Sequence, residues 1–532
     1  MKLSIALLAT TLAVAEASSD SAASGLAATL RRRLSYAAIA GYLPGSQVTD
    51  HCAIDLDQAA LETQLALKTE ASFANARKIY NEGGHSKSYA EVVLASALTS
   101  AIIKDDPITG KNAEGNEVVG KAYEAYVPGV SVIKVLYPTT DTQASECQVG
   151  GLVDTTMGGC FAATGNLTIG VGGNHTIAYT YNSTEDNNNG RTFAGFSTGA
   201  KEKMRENCTG CPYTDFMYFY DYYGVDEYAD HWVQSAFDGN MTKFTNGNAN
   251  FSTYGFDGKE QAIKKGTAYM NAYMYVIREF EDALDICTES DNDGAVHAWD
   301  EGVCFYTGSL EGEDGSVMAD DGKLLYQLAD KRCVDYDTCP EINNGLFEDL
   351  AQGKQELMAG DCDAARETTK KITAQMYIPL IQGTMKYAYH ADKLAGGEKE
   401  KAEAAAFAAA VLPRVHNASA DAATTIYDNV KVGASKTNST AVKSAFESVY
   451  DAIGITCADV GGLVNPSEGA YYPGMEPCVG TTGPPDVGTN GTISFTKVAG
   501  YEPSSQVTDH CAIDLDQAAL ETQLALKTEA SF

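Results

Sequence analysis

Apolar side chains recur three and four residues apart over most of the second half of the chain, the period of helices that bury one face. From Lys264 to Ile286 the residues Met270, Tyr273, Met274, Ile277, Phe280 and Leu284 form one such stripe. Glu281 projects onto the stripe, Arg278, Asp282 and Asp285 flank it, and Glu279 points away. The same spacing predicts helices over Lys323 to Lys331, Asn343 to Met358, Ala364 to Leu394, Lys399 to Val415, Ala420 to Val430 and Ala441 to Ile453, with a kink at Pro379. Near the start, Ile54 to Tyr80 is rich in helix formers, with Leu61 and Leu65 four apart and Asp50, Asp55 and Asp57 suited to a helix N-terminus. A second helix is expected over Ser88 to Ile103. Between about 131 and 181 the pattern changes to short strands and turns, Val132 to Leu136 and Asn166 to Tyr181 with Gly172, Gly173 and Asn174 between. The expected fold is mainly α, a helical-bundle domain with a small β excursion at about 131–181.

The chain also repeats itself. Gly41 to Phe73 returns as Gly500 to Phe532, differing only at Leu43/Glu502 and Gly45/Ser504. So long a period marks a tandem domain duplication rather than a solenoid. The expected organisation is a signal peptide over 1–17, a leader or linker over 18–40, one domain over 41–478, a linker over 479–499 and the truncated start of a second copy over 500–532. The first segment has Lys2, an apolar run from Leu3 to Ala15 and small residues at Ala15 and Ala17. The leader contains Arg31, Arg32 and Arg33. Of 13 cysteines, all but Cys511 lie in the first copy, an even set that allows a disulfide framework whose connectivity the sequence leaves open. Cys208 and Cys211 are expected as a structural disulfide.

Composition narrows the partners. A formal net charge of -33 excludes a surface for nucleic acid or anionic membrane and leaves cations as natural counter-partners. No stretch after the leader reaches the roughly 18 to 20 apolar residues of a membrane span. Nine N-x-[ST] sequons, at Asn166, Asn174, Asn182, Asn207, Asn240, Asn250, Asn417, Asn438 and Asn490, agree with a secretory route.

Candidate chemistry gathers around the stripe that holds Glu281, because a carboxylate there must be paired, protonated or bound to a metal. Just downstream, His297, Asp300 and Glu301 stand at i, i+3 and i+4, so a helical turn places an imidazole and two carboxylates on one face. Tyr306 follows and offers a phenolate to hard ferric iron. A bridge between Cys287 and Cys304 would hold this segment against the Glu281 helix. Glu289 to Asp300 scans loosely as a calcium loop, but Glu289 and Asp300 are the wrong residues for its two ends and no clear helix follows. The Tyr- and Asp-rich run from Tyr213 to His231 reads as an aromatic surface or a phenolate source. His390 lies on an apolar stripe as a core histidine. Gly195 to Gly199 matches G-x-S-x-G, but the polar stretch before it lacks the strand a nucleophile elbow needs. No enzyme is expected.

Longer runs carry a resemblance. Tyr269 to Asp282, Val296 to Val303, Phe305 to Gly312, Tyr220 to Gly224, Leu324 to Cys333 and Ala406 to His416 resemble the algal low-iron-inducible periplasmic proteins, ferric-assimilation proteins related to the phytotransferrins. The likeness extends from about Gly41 to Cys478. It implies a secreted cell-surface or periplasmic protein that binds ferric iron for uptake alongside a cell-surface uptake component, with carbonate as a synergistic anion and Arg278 as its partner. The metal ligands Glu281, His297, Asp300, Glu301 and Tyr306 come from the residues themselves. A fainter likeness to imelysin-type proteins is imperfect, because Gly294 lies too far from His297 and Asp300 stands where that pattern has Glu. The alternative functions are a tandem cell-wall or adhesive glycoprotein domain, with calcium as its ion, and a hydrolase acting through Ser197.

Overall fold

The computed structural model describes residues 38–46, 48–83, 90–104, 106–136, 161–170, 175–181, 191–312, 315, 322–339 and 341–478. The chain divides into two units, Met1–Cys478 and Val479–Phe532. The expected signal peptide, the linker after Cys478, the repeated segment with Cys511, and Cys147 and Cys160 all lie outside the described residues.

A helical turn, Thr49–Cys52, leads into α1 (Ile54–Ala66) and α2 (Glu70–Glu82). The single helix expected over 54–80 is therefore two. Lys68 takes a positive φ, and the Thr69 hydroxyl accepts from the Ser72 amide, so Thr69 caps a new helix. Leu61 and Leu65 are fully buried, as their spacing required.

The β region is larger than expected. Strands β1 (Ala90–Leu94), β2 (Pro107–Lys111), β3 (Glu117–Ala122), β4 (Val132–Leu136), β5 (Thr164–Ile169) and β6 (His175–Tyr181) close into an antiparallel barrel of order β1-β4-β3-β2-β5-β6. The helix expected over Ser88 to Ile103 is replaced by β1 and irregular chain. Leu94, Leu98 and Ile102 recur every four residues, a helical spacing, yet all three fill the barrel interior with Val92, Ile133 and Val135. Along β3 the burial alternates strictly, one face in and one out. Gly110 leaves room for Phe161, whose ring would lie 2.7 Å from an added Cβ. Closure leaves no strand edge unpaired.

Apart from a two-stranded sheet of Val464–Asn465 and Ala470–Tyr471, the regular elements that remain are helical: α3 (Phe193–Thr198), a π-helical turn Lys201–Glu206, α4 (Thr214–Tyr223), α5 (Tyr228–Asp238), α6 (Phe256–Lys265), a second π-helical turn Gly266–Ala272, α7 (Tyr273–Thr288), α8 (Asn292–Thr307), α9 (Leu325–Tyr336), α10 (Glu341–Ala359), α11 (Cys362–Lys393), α12 (Glu398–Ala418), α13 (Ala420–Val430) and α14 (Ser439–Glu447), with short single turns besides. The fold class is mainly α with a small β part, as the periodicity indicated. Helix α11 continues through Pro379. The pair α7 and α8 packs together, and α8 also meets α10. Close approach depends on glycine: a Cβ at Gly302 would lie 2.6 Å from Phe280, and one at Gly353 2.3 Å from Trp299. Ser197, inside α3, is buried, and its hydroxyl accepts from the Asp230 amide at 3.1 Å.

Among the described residues, five disulfides join Cys52–Cys304, Cys208–Cys211, Cys287–Cys362, Cys333–Cys339 and Cys457–Cys478. The Cys287–Cys304 bridge is thus not formed. Cys287 ties α7 to the start of α11, and Cys304 ties α8 to the turn that carries His51.

The loop after α8 holds buried carboxylates. Asp55 accepts from the Ser309 amide and hydroxyl and from the Leu310 amide, at 2.7, 2.8 and 2.7 Å, yet burial still lifts it to about 6. Glu311 is raised to about 8, first by burial, then by Asp330 and Asp55, and neither of its carboxylate oxygens has a hydrogen-bond partner among the described residues. From the ordinary glutamate value of about 4.3 up to about 8, the folded chain keeps a proton there that the unfolded chain releases, so stability from this group falls as pH rises through that window. Glu311→Gln should therefore gain on the wild type in thermal unfolding as pH goes from about 5 to about 8. An unchanged difference between those two pH values contradicts the assignment.

Candidate metal centre

Helix α8 begins at Asn292, where the Asp291 carboxylate accepts from the Gly294 amide at 3.0 Å and caps it. From Asn292 to Asp300 the residues that would have wrapped a calcium ion are helical instead, so the calcium-loop pattern does not form a loop. Within α8, His297 and Glu301 are one turn apart and meet, His297 Nε2 to Glu301 Oε1 at 3.0 Å. His51 arrives from the other side, its Nδ1 also 3.0 Å from Glu301 Oε1. Donor atoms of His51, His297 and Glu301 all lie within 4.8 Å of one another, the one group of three such residues so placed among the described residues.

Each member is held from behind. The Cys52–Cys304 disulfide fixes the turn carrying His51 to α8. The His51 ring stacks parallel on Phe305 with centroids 6.1 Å apart. Asp300 is fully buried, and its Oδ2 accepts from the Gly45 amide, the Ser46 amide and the Ser46 hydroxyl at 2.8, 2.8 and 2.7 Å. Tyr42 donates to its Oδ1 at 2.6 Å. Because the Ser46 hydroxyl hydrogen goes to Asp300, the Ser46 oxygen accepts from His297 Nδ1 at 3.0 Å. That places a proton on His297 Nδ1 and turns Nε2 toward Glu301. The His297 side chain is 44% exposed, against 7% and 8% for His51 and Glu301, so the centre opens to solvent on the His297 side.

Arg191 supplies the countercharge. Its guanidinium donates to Glu301 Oε2 at 2.6 Å and lies 3.1 Å from His51 Nε2. Burial alone would raise the Glu301 carboxyl, but His51, Arg191 and His297 hold it well below the ordinary carboxylate value. A charged carboxylate flanked by two imidazole nitrogens and one arginine is what remains.

The expected ligands separate accordingly. His297 and Glu301 meet; Asp300 stands behind them and positions Ser46. Glu281 pairs with Arg366 at 3.1 Å. Tyr306 is buried and donates to Asn343 Oδ1 at 2.8 Å, and burial with Asp330 beside it pushes its phenol up, away from the phenolate. The stripe through α7 does not single out the buried carboxylate either. Glu279, expected to point away, is 1% exposed, because α7 is packed on several sides. Its carboxyl is raised by burial, offset by Arg278, with Glu301 adding repulsion. Arg278 is engaged by Glu279 at 2.5 Å and Asp282 at 3.0 Å. His51 was missed. It is 246 residues from His297 in sequence, and its signal was the neighbouring Cys52.

In the Tyr213 to His231 segment, Tyr223 and Tyr228 stack in the core and Tyr213 donates to Asp285 Oδ2 at 2.8 Å. His390 is half-buried with its ring edge-on to Tyr387.

No curated protein and no solved structure matches the chain significantly. A family described as low iron-inducible periplasmic protein matches residues 182–468, more than half of the chain. The matched span carries Arg191, His297 and Glu301 and leaves out His51 and the barrel. With most of its helical part and two residues of the candidate metal centre inside that span, the chain belongs to the low iron-inducible periplasmic protein family.

Proposed function

We propose that this protein is secreted, binds iron at His51, His297 and Glu301, and hands it to an uptake component at the cell surface. One observation carries this function: two imidazole nitrogens converge on one carboxylate oxygen, each at 3.0 Å. Such a trio needs positive charge between its members. Two imidazoles and a carboxylate are a donor set for first-row transition ions, and they leave coordination positions open. We take ferric iron as the cargo. The exposed His297 side leaves room for the oxygen ligands, from water or an anion, that this hard ion requires. The family description, inducible by low iron and periplasmic, agrees with that role. The six sequon asparagines among the described residues, Asn166, Asn207, Asn240, Asn250, Asn417 and Asn438, are exposed, which suits a glycosylated secreted protein. No helix among the described residues is long and apolar enough to cross a membrane.

Loading requires an exchange of cations. Arg191 donates toward His51 Nε2, which places the His51 proton on Nδ1, the nitrogen that faces Glu301. An iron ion takes the place of that proton and repels the guanidinium from Glu301. Carbonate, where it takes part, meets the released Arg191, since Arg278 is already engaged by Glu279 and Asp282. Arg191→Gln should then bind iron about tenfold more tightly, the equivalent of one charge-assisted hydrogen bond no longer competing for Glu301. Weaker binding in that variant would make Arg191 a prop of the centre rather than a competitor.

The function itself is tested by equilibrium dialysis of the oxidised chain against ferric iron kept soluble by a weak chelator, with and without bicarbonate. Near-stoichiometric retained iron is expected. Iron no higher than in a protein-free control, in both buffers, ends the proposal.

A further inference from the structure

The chain's 38 basic residues are outnumbered by 71 acidic ones, yet five cations line one cavity. Lys264, Lys265, Lys323, Lys331 and Arg332 surround a space of about 210 Å³ between α6, the π-helical turn Gly266–Ala272, α9 and α12. Among the described residues, two carboxylates share that lining, Glu62 and Glu403, and Glu403 is occupied by Lys265 at 2.9 Å. No residue of the metal centre lines it.

Arg332 is the built part of the site. It is 6% exposed, and its guanidinium lies 5.5 Å from the Tyr387 ring centre and 5.9 Å from that of Phe407. One of its terminal nitrogens is held by Asp335, but Nε is buried with no hydrogen-bond partner among the described residues. A guanidinium fixed by stacking, with a donor unused, is a ready oxyanion partner. Tyr269, stacked on Phe407 with centroids 5.2 Å apart, adds a hydroxyl to the same cavity. Lys264, Lys265 and Arg332 each keep an acidic partner, Glu260, Glu403 and Asp335, so the cavity holds its cations in place while Arg332 Nε is left facing no acceptor of its own among the described residues.

We propose that this cavity binds a small polyanion carrying two or more oxyanion groups, of about the size of citrate. Neither a nucleic acid nor a lipid surface enters a space so small. The site stands apart from the iron-binding function and does not depend on it.

Isothermal titration of the iron-free full chain tests it with citrate, pyrophosphate and acetate as probes. Saturable binding of citrate or pyrophosphate, with acetate inert, is the expected result, and the stronger of the two identifies carboxylate or phosphate chemistry. Lys323→Glu, at a partly exposed position, and Arg332→Lys, which keeps the charge and loses the fork, should each weaken that binding about tenfold or more. Glu301→Gln should leave it unchanged. The proposal is overturned if neither polyanion binds better than acetate, if both cavity variants bind as the wild type does, or if Glu301→Gln abolishes binding.

Discussion

His51→Ala and Glu301→Gln each lower iron affinity on the order of 100-fold, the upper end of what disturbing a metal site's supporting residues costs and a lower bound for removing a ligand. Glu281→Gln and Tyr306→Phe leave it unchanged. The contrast follows from geometry. His51 and Glu301 lie with His297 inside a sphere that one ion can span, whereas Glu281 faces Arg366 and Tyr306 faces Asn343. Glutamine at 301 keeps the shape of the side chain and removes its charge, so the effect reads on the ligand rather than on packing. Iron competition against a chromogenic chelator measures all four variants. Loss of binding in Glu281→Gln or Tyr306→Phe, with His51→Ala unaffected, would move the site elsewhere.

Breaking the disulfide between Cys52 and Cys304 has two consequences that come apart. The bridge closes a loop of 252 residues. Removing a crosslink of that span costs about 2–5 kcal/mol, largely through the freedom returned to the unfolded chain. The Cys52→Ala, Cys304→Ala double variant should therefore melt lower. It should also bind iron more weakly than its loss of stability explains, because the bridge fixes the turn that presents His51. The check is iron affinity measured well below the melting temperature, where nearly all of the chain is folded. An affinity equal to the wild type's there would mean that Phe305 and Arg191 position His51 without help.

Much of the helical half was legible from spacing alone. Helix α13 matches its expected bounds at both ends, and α10, α11 and α12 differ by a few residues, because long amphipathic runs fix their own period. Barrel strand β1 was not legible, since Leu94, Leu98 and Ile102 satisfy a helical spacing while serving a barrel interior. Half of the candidate centre could be read in the same local way, for His297 and Glu301 are partners on one helix face. The other half could not. His51 joins them through a disulfide whose connectivity no single sequence dictates, and Glu281 looked equivalent to a ligand because an apolar stripe does not show that α7 is enclosed on several sides. The repeat sharpens the point. The segment that returns near the end of the chain is the one that supplies Tyr42, Ser46, His51 and Cys52 in the first copy, and its counterparts are Tyr501, Ser505, His510 and Cys511. The N-terminal share of the centre is duplicated as a unit, together with the cysteine that ties it down.

In the proposed loaded state one iron ion sits between His51, His297 and Glu301. Anomalous diffraction collected on either side of the iron absorption edge, from crystals of the iron-loaded protein, tests it most directly. A difference peak within bonding distance of His51 Nδ1, His297 Nε2 and a Glu301 carboxylate oxygen, with Arg191 withdrawn from Glu301, is the predicted result. A peak at any other group of side chains, with these three still hydrogen-bonded to one another, would contradict it.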